Sequence, residues 1–242
     1  MPVMPPKLLN PTGGWWWHAR AWRSLGRWDS AIQAMQQEWL QTGPNAQRLV
    51  LIGASAGWMF STDVLLRFKA IETWDIDPWA GRLFDWRHGR ELRRHGLQVR
   101  HCVGDAWAHE SSWLQKDRHS LYWFDNVLGQ LRFMLPPDSA RQQVQQLKSR
   151  LARVAWGSVH DRYSGPLRPN RPVPAPWRSK AGVDLNDAAA QSWLQSWGAQ
   201  DAWLDHLTEQ VFSPDIAVLN LAWTFKSDFG HWLEMGWQSP CS

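Results

Sequence analysis

The stretch Arg48-Leu-Val-Leu-Ile-Gly-Ala-Ser-Ala-Gly-Trp58 is followed closely by Ala70-Ile-Glu-Thr-Trp-Asp-Ile-Asp-Pro78. Each stretch contains a short apolar run of the kind that forms a buried strand. The first run ends in a glycine-rich turn, and the second ends in an acidic residue, Asp75. A strand, a tight turn, a helix and a second strand in this order predict a βαβ unit with parallel strands.

The residue types at the two strand ends suit a bound nucleoside. The small residues Gly53, Ala54, Ser55 and Gly57 would let a ligand approach the backbone at the end of the first strand. Asp75 ends the second strand, where a carboxylate can accept hydrogen bonds from a ribose diol. The same turn also matches the G-x-S-x-G pattern of a serine-hydrolase nucleophile elbow, with Ser55 as the nucleophile. Both hypotheses are open at this point.

The rest of the chain alternates strand-like and helix-like segments. Strands are predicted at 48–53, 70–75, 97–103, 119–124 and 152–159, and helices at 21–41, 58–68, 78–95, 109–116, 137–151 and 185–197. Two further strand-like runs, 202–212 and 216–226, predict an antiparallel hairpin at the sheet edge. The prediction is an α/β fold with a doubly wound, mostly parallel, seven-stranded sheet. Residues 1–44 form an N-terminal arm, irregular over 1–19, and a helix; residues 45–242 form the sheet domain, and together they make one globular domain.

Composition agrees with a globular protein. The 242 residues are 44% hydrophobic and 20% charged, enough for one domain of this class. The 21 tryptophans are expected to fill the core and its half-buried edges; the alternative is that a few of them line a flat ligand pocket. Cys102 and Cys241 form neither a disulfide framework nor a zinc pattern, and no metal site is predicted. No signal peptide or membrane span is visible, so we expect a cytoplasmic protein.

The net charge of +4 is concentrated in two stretches, 82–100 and 161–180. The second stretch overlaps a proline-rich segment, Tyr163 to Lys180, which we interpret as a long loop. We expect this loop to cover or border the substrate site. Local positive charge indicates an anionic partner, although solvated charged faces are common.

The order of elements and four short motifs resemble the class I, Rossmann-like S-adenosylmethionine-dependent methyltransferases over residues 45–226. Gly53-Ala-Ser-Ala-Gly57 stands at the family's glycine turn, and Asp75 at its ribose-binding acid, with Ile76 beside the adenine. Gly104-Asp105-Ala106 resembles the motif that binds the adenine amino group. Phe124-Asp125-Asn126-Val127-Leu128 resembles the end of strand four, which borders the methionine part and the methyl acceptor.

The resemblance implies S-adenosylmethionine as the cofactor and places residues at its site. Cofactor contacts are expected from the glycine turn and the strand ends, as follows: Gly53, Ala54, Ser55, Gly57, Asp75, Ile76, Asp105, Ala106 and Asp125. Two departures stand out: Leu51 occupies a position that is often acidic in the family, and Ser55 replaces the middle glycine. The segment Asp125-Asn126-Val-Leu also differs from the motif of the amino-methylating DNA enzymes.

Candidate catalytic residues lie after strands four and five. Asp125 and Asn126 are expected either to contact the ligand or to hold the loop before the fourth helix. His160, placed after strand five, could act as a base toward an acceptor hydroxyl or amine. The sequence thus favours a methyltransferase whose acceptor is unidentified: a small molecule, a protein or a nucleic acid. A non-catalytic binding module of the same fold is an alternative. A serine hydrolase is another, with Ser55 and a later histidine such as His160, His206 or His231.

Overall fold

The computed structural model describes residues 14–114, 119–200 and 202–240. The helices are α1 (Gly14–Thr42), α2 (Thr62–Leu65), α3 (Ala80–Phe84), α4 (Arg90–Arg94), α5 (Glu110–Trp113), α6 (Leu131–Met134), α7 (Pro137–Leu151) and α8 (Ala188–Trp197). The π-helical turn Asp85–Gly89 joins α3 to α4. The strands are β1 (Arg48–Ile52), β2 (Ala70–Asp75), β3 (Gln98–Val103), β4 (Ser120–Asp125), β5 (Ala155–Pro166), β6 (Trp177–Lys180), β7 (Leu204–Asp205), β8 (Ala217–Lys226) and β9 (Phe229–Gln238).

These strands form one sheet in the order β3-β2-β1-β4-β5-β9-β8-β6, with the short β7 paired to the end of β5. Strands β1 to β5 are parallel, while β9 runs antiparallel to both β5 and β8. The α/β class and the mostly parallel sheet are therefore confirmed. Nine strands pair in the described part of the chain, two more than the seven predicted.

Helices cover both faces of the sheet. On one face, α1 packs Trp28, Met35 and Trp39 against apolar side chains of the sheet, including Trp123. On the other face, α7 packs its apolar stripe against β4 and β5, and α8 packs on the far ends of β5 and β9. The long helix α1 thus belongs to the same core as the sheet. It begins at Gly14, so the prediction of an irregular arm is wrong for 14–19; residues 1–13 lie outside the described range.

The C-terminal hairpin is formed by β8 and β9, and the predicted strand 202–212 is wrong. Positive φ angles at Ala202 (69°) and Leu207 (61°) interrupt that segment, leaving only β7 as a strand. Strand β9 contains two glycines, which normally weaken a strand. A Cβ atom at Gly236 would lie 3.0 Å from Phe212 and Val218 side-chain carbons, closer than ordinary van der Waals contact.

Strand β5 is longer than predicted, and it includes the beginning of the segment that was predicted to be a proline-rich loop. It runs to Pro166 with a bulge between Asp161 and Tyr163, because β9 and β7 give it pairing partners beyond the end of β4. The segment Trp177–Lys180 is strand β6, so the loop spans only 167–176.

The loop 167–176 packs on α8 at two points. Arg168 N donates to the Gly198 carbonyl (2.8 Å), and Trp193 Nε1 donates to the Ala175 carbonyl (2.8 Å). Arg178 lies outside the loop, on β6, and forms an ion pair with the buried Glu38 of α1. Part of the basic stretch is therefore used to hold α1 to the sheet.

Several helices are shorter than predicted. The segment 58–68 is mostly a turn that contains only the four residues of α2. The segment 78–95 is helical from Ala80 onward, with the π turn in its middle. The predicted helix 109–116 is described as Glu110–Trp113, and its end lies outside the described residues.

Candidate ligand site at the carboxyl edge of the sheet

The strand order reverses direction between β1 and β4, because the chain adds β2 and β3 on one side of β1 and then crosses to β4 on the other. Open α/β sheets bind ligands in the crevice at this point, outside the carboxyl ends of the strands. Gly53 follows β1 there, with φ 75°. A Cβ atom at Gly53 would clash with the Val127 side chain and lie 3.0 Å from the Asp125 carbonyl oxygen. Only glycine allows this close approach of the two loops.

Hydrogen bonds to Asp75 connect the residues that follow β1, β2 and β3. Its Oδ2 accepts a hydrogen bond from the Ser55 amide (2.7 Å), and its Oδ1 accepts one from the Asp77 amide (2.8 Å). Its carbonyl oxygen accepts from the Gly104 amide (2.9 Å), which brings the end of β3 alongside. Burial raises the pKa of Asp75, and the two amide donors oppose that rise. Each carboxylate oxygen retains a further lone pair for a ligand.

Asp125, at the end of β4, is a second carboxyl group of this edge whose pKa is raised. Its side chain is buried, and Oδ1 has no hydrogen-bond partner within the described residues. Burial, and then the negative charge of Asp75, raise the pKa of Asp125 to about 8. The group is therefore protonated at neutral pH, and a cation placed beside it would favour its ionised form.

The expected adenine-side residues lie at the ends of β2 and β3. Ile76 is 45% exposed there, an unusual position for a large apolar side chain. Asp105 Oδ1 accepts from the Trp107 amide (2.9 Å), so this carboxylate also shapes its own turn. Ala106 is buried, and its carbonyl oxygen accepts from Trp113 Nε1 (2.8 Å).

Asn126 holds the loop after β4 against β5. It has a positive φ of 53°, its amide donates to the Val159 carbonyl (2.8 Å), and its Oδ1 accepts from the Asp161 amide (3.1 Å). A non-glycine residue in this conformation is uncommon and marks a constrained position.

The predicted location of His160 is wrong. It lies within β5, fully buried, because that strand continues past Val159. Its Nδ1 lies 3.1 Å from Ser158 Oγ and its Nε2 lies 3.5 Å from Glu234 Oε1. The imidazole therefore faces the protein interior and not the ligand edge.

Helix α1 covers the glycine turn, a contribution that sequence patterns did not indicate. Trp17 Nε1 donates to Ser55 Oγ (2.9 Å). His18 Nδ1 accepts from Trp58 Nε1 (3.1 Å), so its Nε2–H donates to Asp77 Oδ2 (3.0 Å). The only sequence signal was the tryptophan run at 15–17, which has no strand or helix period.

The nucleophile-elbow hypothesis for Ser55 is not favoured. Its φ of 48° suits a strained elbow, but no helix follows directly, since α2 begins at Thr62. Ser55 Oγ accepts from Trp17, and no histidine of the described ranges is hydrogen-bonded to it.

A histidine–aspartate pair lies near Asn126 and was missed by the sequence analysis. His231 Nδ1 lies 2.9 Å from Asp161 Oδ1. Burial alone would raise the pKa of Asp161, but the charge and hydrogen bond of His231 hold it below its usual range. The two residues are 70 positions apart, so no local pattern signals the pair.

Two other properties complete the description. Within residues 14–114, 119–200 and 202–240, no helix has the length and apolar character to cross a membrane. The same residues contain no group of three or more His, Cys, Asp or Glu side chains that could hold a metal ion.

No protein-family model and no curated protein matches this chain. Similar solved structures include an S-adenosylmethionine-dependent methyltransferase from Anabaena variabilis, with 10% identity and a TM-score of 0.45, covering 92% of this chain and 93% of that chain. Magnesium protoporphyrin IX methyltransferase from Synechocystis, solved with bound S-adenosylmethionine, has 14% identity and a TM-score of 0.45, covering 90% of each chain.

A Nostoc punctiforme protein assigned as an O-methyltransferase has 13% identity and a TM-score of 0.45. The similarity covers 92% of this chain but only 60% of that protein. The strand order, with β9 antiparallel between β5 and β8, gives this chain a Rossmann-like α/β fold.

Proposed function

We propose that this protein binds S-adenosylmethionine at the carboxyl edge of the sheet and transfers its methyl group to an acceptor. The observation that carries the proposal is the pairing of Gly53 with Asp125 at the reversal of strand order, with Asp75 beside them. A glycine cradle and an acidic residue on the next strand are what an adenosine ligand requires.

The residues present fit the cofactor. Asp75 would bind the ribose hydroxyls through its remaining lone pairs, and Ile76 would contact the adenine with its exposed side chain. Asp105 and Ala106 would face the adenine amino group. The unpartnered oxygen of Asp125 would accept from, or lie beside, a positively charged part of the ligand.

The protein's own role in such a transfer is mainly positioning. The bound cofactor supplies an activated methyl group, and the chain must hold an acceptor in line with it and exclude water. Trp17, which is hydrogen-bonded to Ser55, would limit solvent access to the site from the side of α1. Asn126 would keep the end of β4 rigid beside both ligands.

Asp75→Ala tests the proposal. Losing hydrogen bonds to a carboxylate costs about 1.5–3 kcal/mol, or roughly ten- to a hundredfold in affinity. We expect isothermal titration calorimetry with S-adenosylhomocysteine to show micromolar binding by the wild type and this loss in the variant. Wild-type affinity in Asp75→Ala would mean that the ribose site is elsewhere.

Asp184→Ala is the matched control. Asp184 also accepts a backbone hydrogen bond, from the Asn186 amide (2.8 Å), but it lies in the turn before α8. Its removal should leave S-adenosylhomocysteine affinity unchanged. Absence of binding by the wild-type protein would instead support a fold that serves as a non-catalytic module.

A further inference from the structure

The basic stretch 82–100 lies on the surface of the protein, whereas the basic stretch 161–180 is partly used inside it. In the second stretch, Arg162 is 1% exposed, and Arg178 pairs with a buried carboxylate of α1. In the first stretch, every arginine except Arg87 is exposed. The positive charge of the stretch 82–100 is therefore the one that a partner can reach.

The exposed side chains of α3, the π turn and α4 follow a pattern. From residue 79 to residue 94, every exposed side chain is a tryptophan or an arginine: Trp79, Arg82, Trp86, Arg90, Arg93 and Arg94. Steps of three or four residues separate the first five, which places them on one helical face. The opposite face carries Ala80, Phe84, His88 and Leu92, all of them buried. We call Trp79, Arg82, Trp86, Arg90 and Arg93 the Trp–Arg stripe.

Aromatic and cationic side chains lie close together in the Trp–Arg stripe. Arg82 Cζ lies 5.2 Å from the centroid of the Trp79 ring. A Cβ atom at Gly89 would lie 2.8 Å from Arg93 Nη1, so the Arg93 side chain extends back along the helix in the direction of Trp86. The rings and the guanidinium groups therefore share one surface and are not sorted onto two.

The N-terminal helix extends the aromatic part of this surface. Trp15 of α1 lies 6.4 Å from Trp79 between ring centroids, edge to face. Trp15 is 56% exposed and Trp86 is 69% exposed. Large apolar side chains that are clustered and exposed on a folded protein mark interaction sites.

The charge of the Trp–Arg stripe is not neutralised by neighbouring carboxylates. Among the residues that the structure describes, the guanidinium groups of Arg82, Arg90 and Arg93 make no hydrogen bond or ion pair. The two acids of the same segment have other partners: Asp85 Oδ1 lies 3.1 Å from a histidine of β3, and Glu91 pairs with an arginine one turn later (3.1 Å). The stripe therefore combines flat rings with available positive charge.

We propose that the Trp–Arg stripe binds single-stranded nucleic acid, with bases stacked on the tryptophan rings and phosphates contacted by the arginines. Proteins that bind single strands combine positive charge with aromatic stacking platforms, because every base has a flat face. A helix that lies on a lipid surface instead carries its aromatic residues and its cations on different faces. The interleaving of tryptophan and arginine on one face thus favours a nucleic acid over a membrane.

Trp86→Ala tests the stacking contact. The probes are fluorescein-labelled oligothymidylate and oligouridylate of about 16 nucleotides, long enough to fill a site of this kind. Losing one stacked base costs about five- to a hundredfold in affinity, and we expect this loss in fluorescence anisotropy titrations at low salt. Phe133→Ala is the matched control, because Phe133 is 64% exposed on α6, outside the stripe. Its affinity for both probes should equal that of the wild type.

Arg90→Gln tests the phosphate contact through its dependence on salt. The slope of log affinity against log salt concentration changes by about 0.7 for each phosphate contact to a single strand. We expect the slope to become shallower by this amount in Arg90→Gln. Arg153→Gln removes an exposed arginine that follows α7, and its slope should equal that of the wild type. An unchanged slope in Arg90→Gln would remove this arginine from the site.

The remaining outcomes decide what the partner is. Tighter binding of oligouridylate than of oligothymidylate would support the proposal and identify RNA as the partner. Wild-type protein that binds neither probe, or that binds a duplex of the same length as tightly as the single strand, would overturn the proposal. Wild-type affinity in Trp86→Ala would also overturn it, leaving only attraction of a polyanion by the arginines.

A lipid partner is tested with vesicles of phosphatidylcholine and phosphatidylglycerol. Cosedimentation of wild-type protein with these vesicles, lost in Trp86→Ala and without oligonucleotide binding, would overturn the proposal in favour of a membrane surface. The oligonucleotide titrations contain no S-adenosylmethionine or S-adenosylhomocysteine. Failure of the proposed methyltransferase function would therefore leave this inference standing, and failure of this inference would leave the proposed function standing.

Discussion

At the scale of single residues, Asp125 combines burial, an unpartnered oxygen and a neighbouring carboxylate. Its pKa of about 8 in the folded protein lies well above the ordinary value of 3.8. The folded state therefore holds a proton that the unfolded state releases over this range. The stability linked to this proton is complete below the unfolded pKa and is lost as pH rises through the folded pKa.

We expect Asp125→Asn to remove this loss of folding stability at higher pH, because an amide cannot ionise. Each pKa unit corresponds to about 1.4 kcal/mol, so the variant should gain a few kcal/mol relative to wild type between about pH 5 and pH 8. Urea unfolding at the two pH values measures the gain. Parallel stability curves for the two proteins would show that Asp125 ionises normally.

At the scale of elements, the helical segment α3, π turn and α4 supports the glycine turn through one histidine. His88 Nε2 donates to the Gly57 carbonyl (3.2 Å), and its Nδ1 accepts from Thr62 Oγ1 (2.9 Å). Gly57 has φ 62°, and a Cβ there would lie 2.9 Å from the imidazole. Because π turns often mark functional sites, this one is well placed to set the position of the turn after β1.

We expect His88 to make the protein less stable in mild acid. Burial, followed by the charge of Arg87, lowers the pKa of His88 to about 4. The neutral imidazole therefore contributes its full stability above the unfolded pKa of 6.5, and this contribution is lost as pH falls toward about 4. His88→Gln should make the melting temperature depend less on pH over this range. His95 is exposed at the end of α4, and His95→Gln should leave the pH dependence of the melting temperature unchanged.

At the scale of the whole molecule, Trp39 ties the N-terminal helix to the C-terminal strand. Its ring lies 4.7 Å from Trp123 of β4 and 4.3 Å from Trp237 of β9, and it also contacts Phe60 and Phe68. Helix α1 is thus part of the core, and its removal would uncover one face of the sheet.

Truncating Trp39 to alanine should destabilise the protein by about 3–5 kcal/mol, the usual cost of removing a large buried aromatic side chain. Trp86→Ala is the control, because that side chain is 69% exposed. Denaturant midpoints of the two variants provide the comparison. Equal midpoints would mean that α1 packs too loosely to stabilise the sheet.

Local sequence was enough to predict the parallel half of the fold and the residues that follow its strands. The β1 turn, Asp75 after β2, the Gly104 turn after β3 and Asp125 after β4 all depend on short-range periodicity and turn chemistry. Parallel strands necessarily bring their carboxyl ends to one edge, so these residues could be grouped before any coordinates were known. Their roles toward the cofactor stay predictions.

Only the tertiary structure decided the features that depend on distant pairing. Strand β9 exists because β5 and β8 flank it, although its glycines argue locally against a strand. That pairing lengthens β5, buries His160 and brings His231 to Asp161. The His231–Asp161 pair therefore rests on a contact between residues 70 positions apart. Sequence periodicity reports which face of an element is apolar, but not which element will cover it.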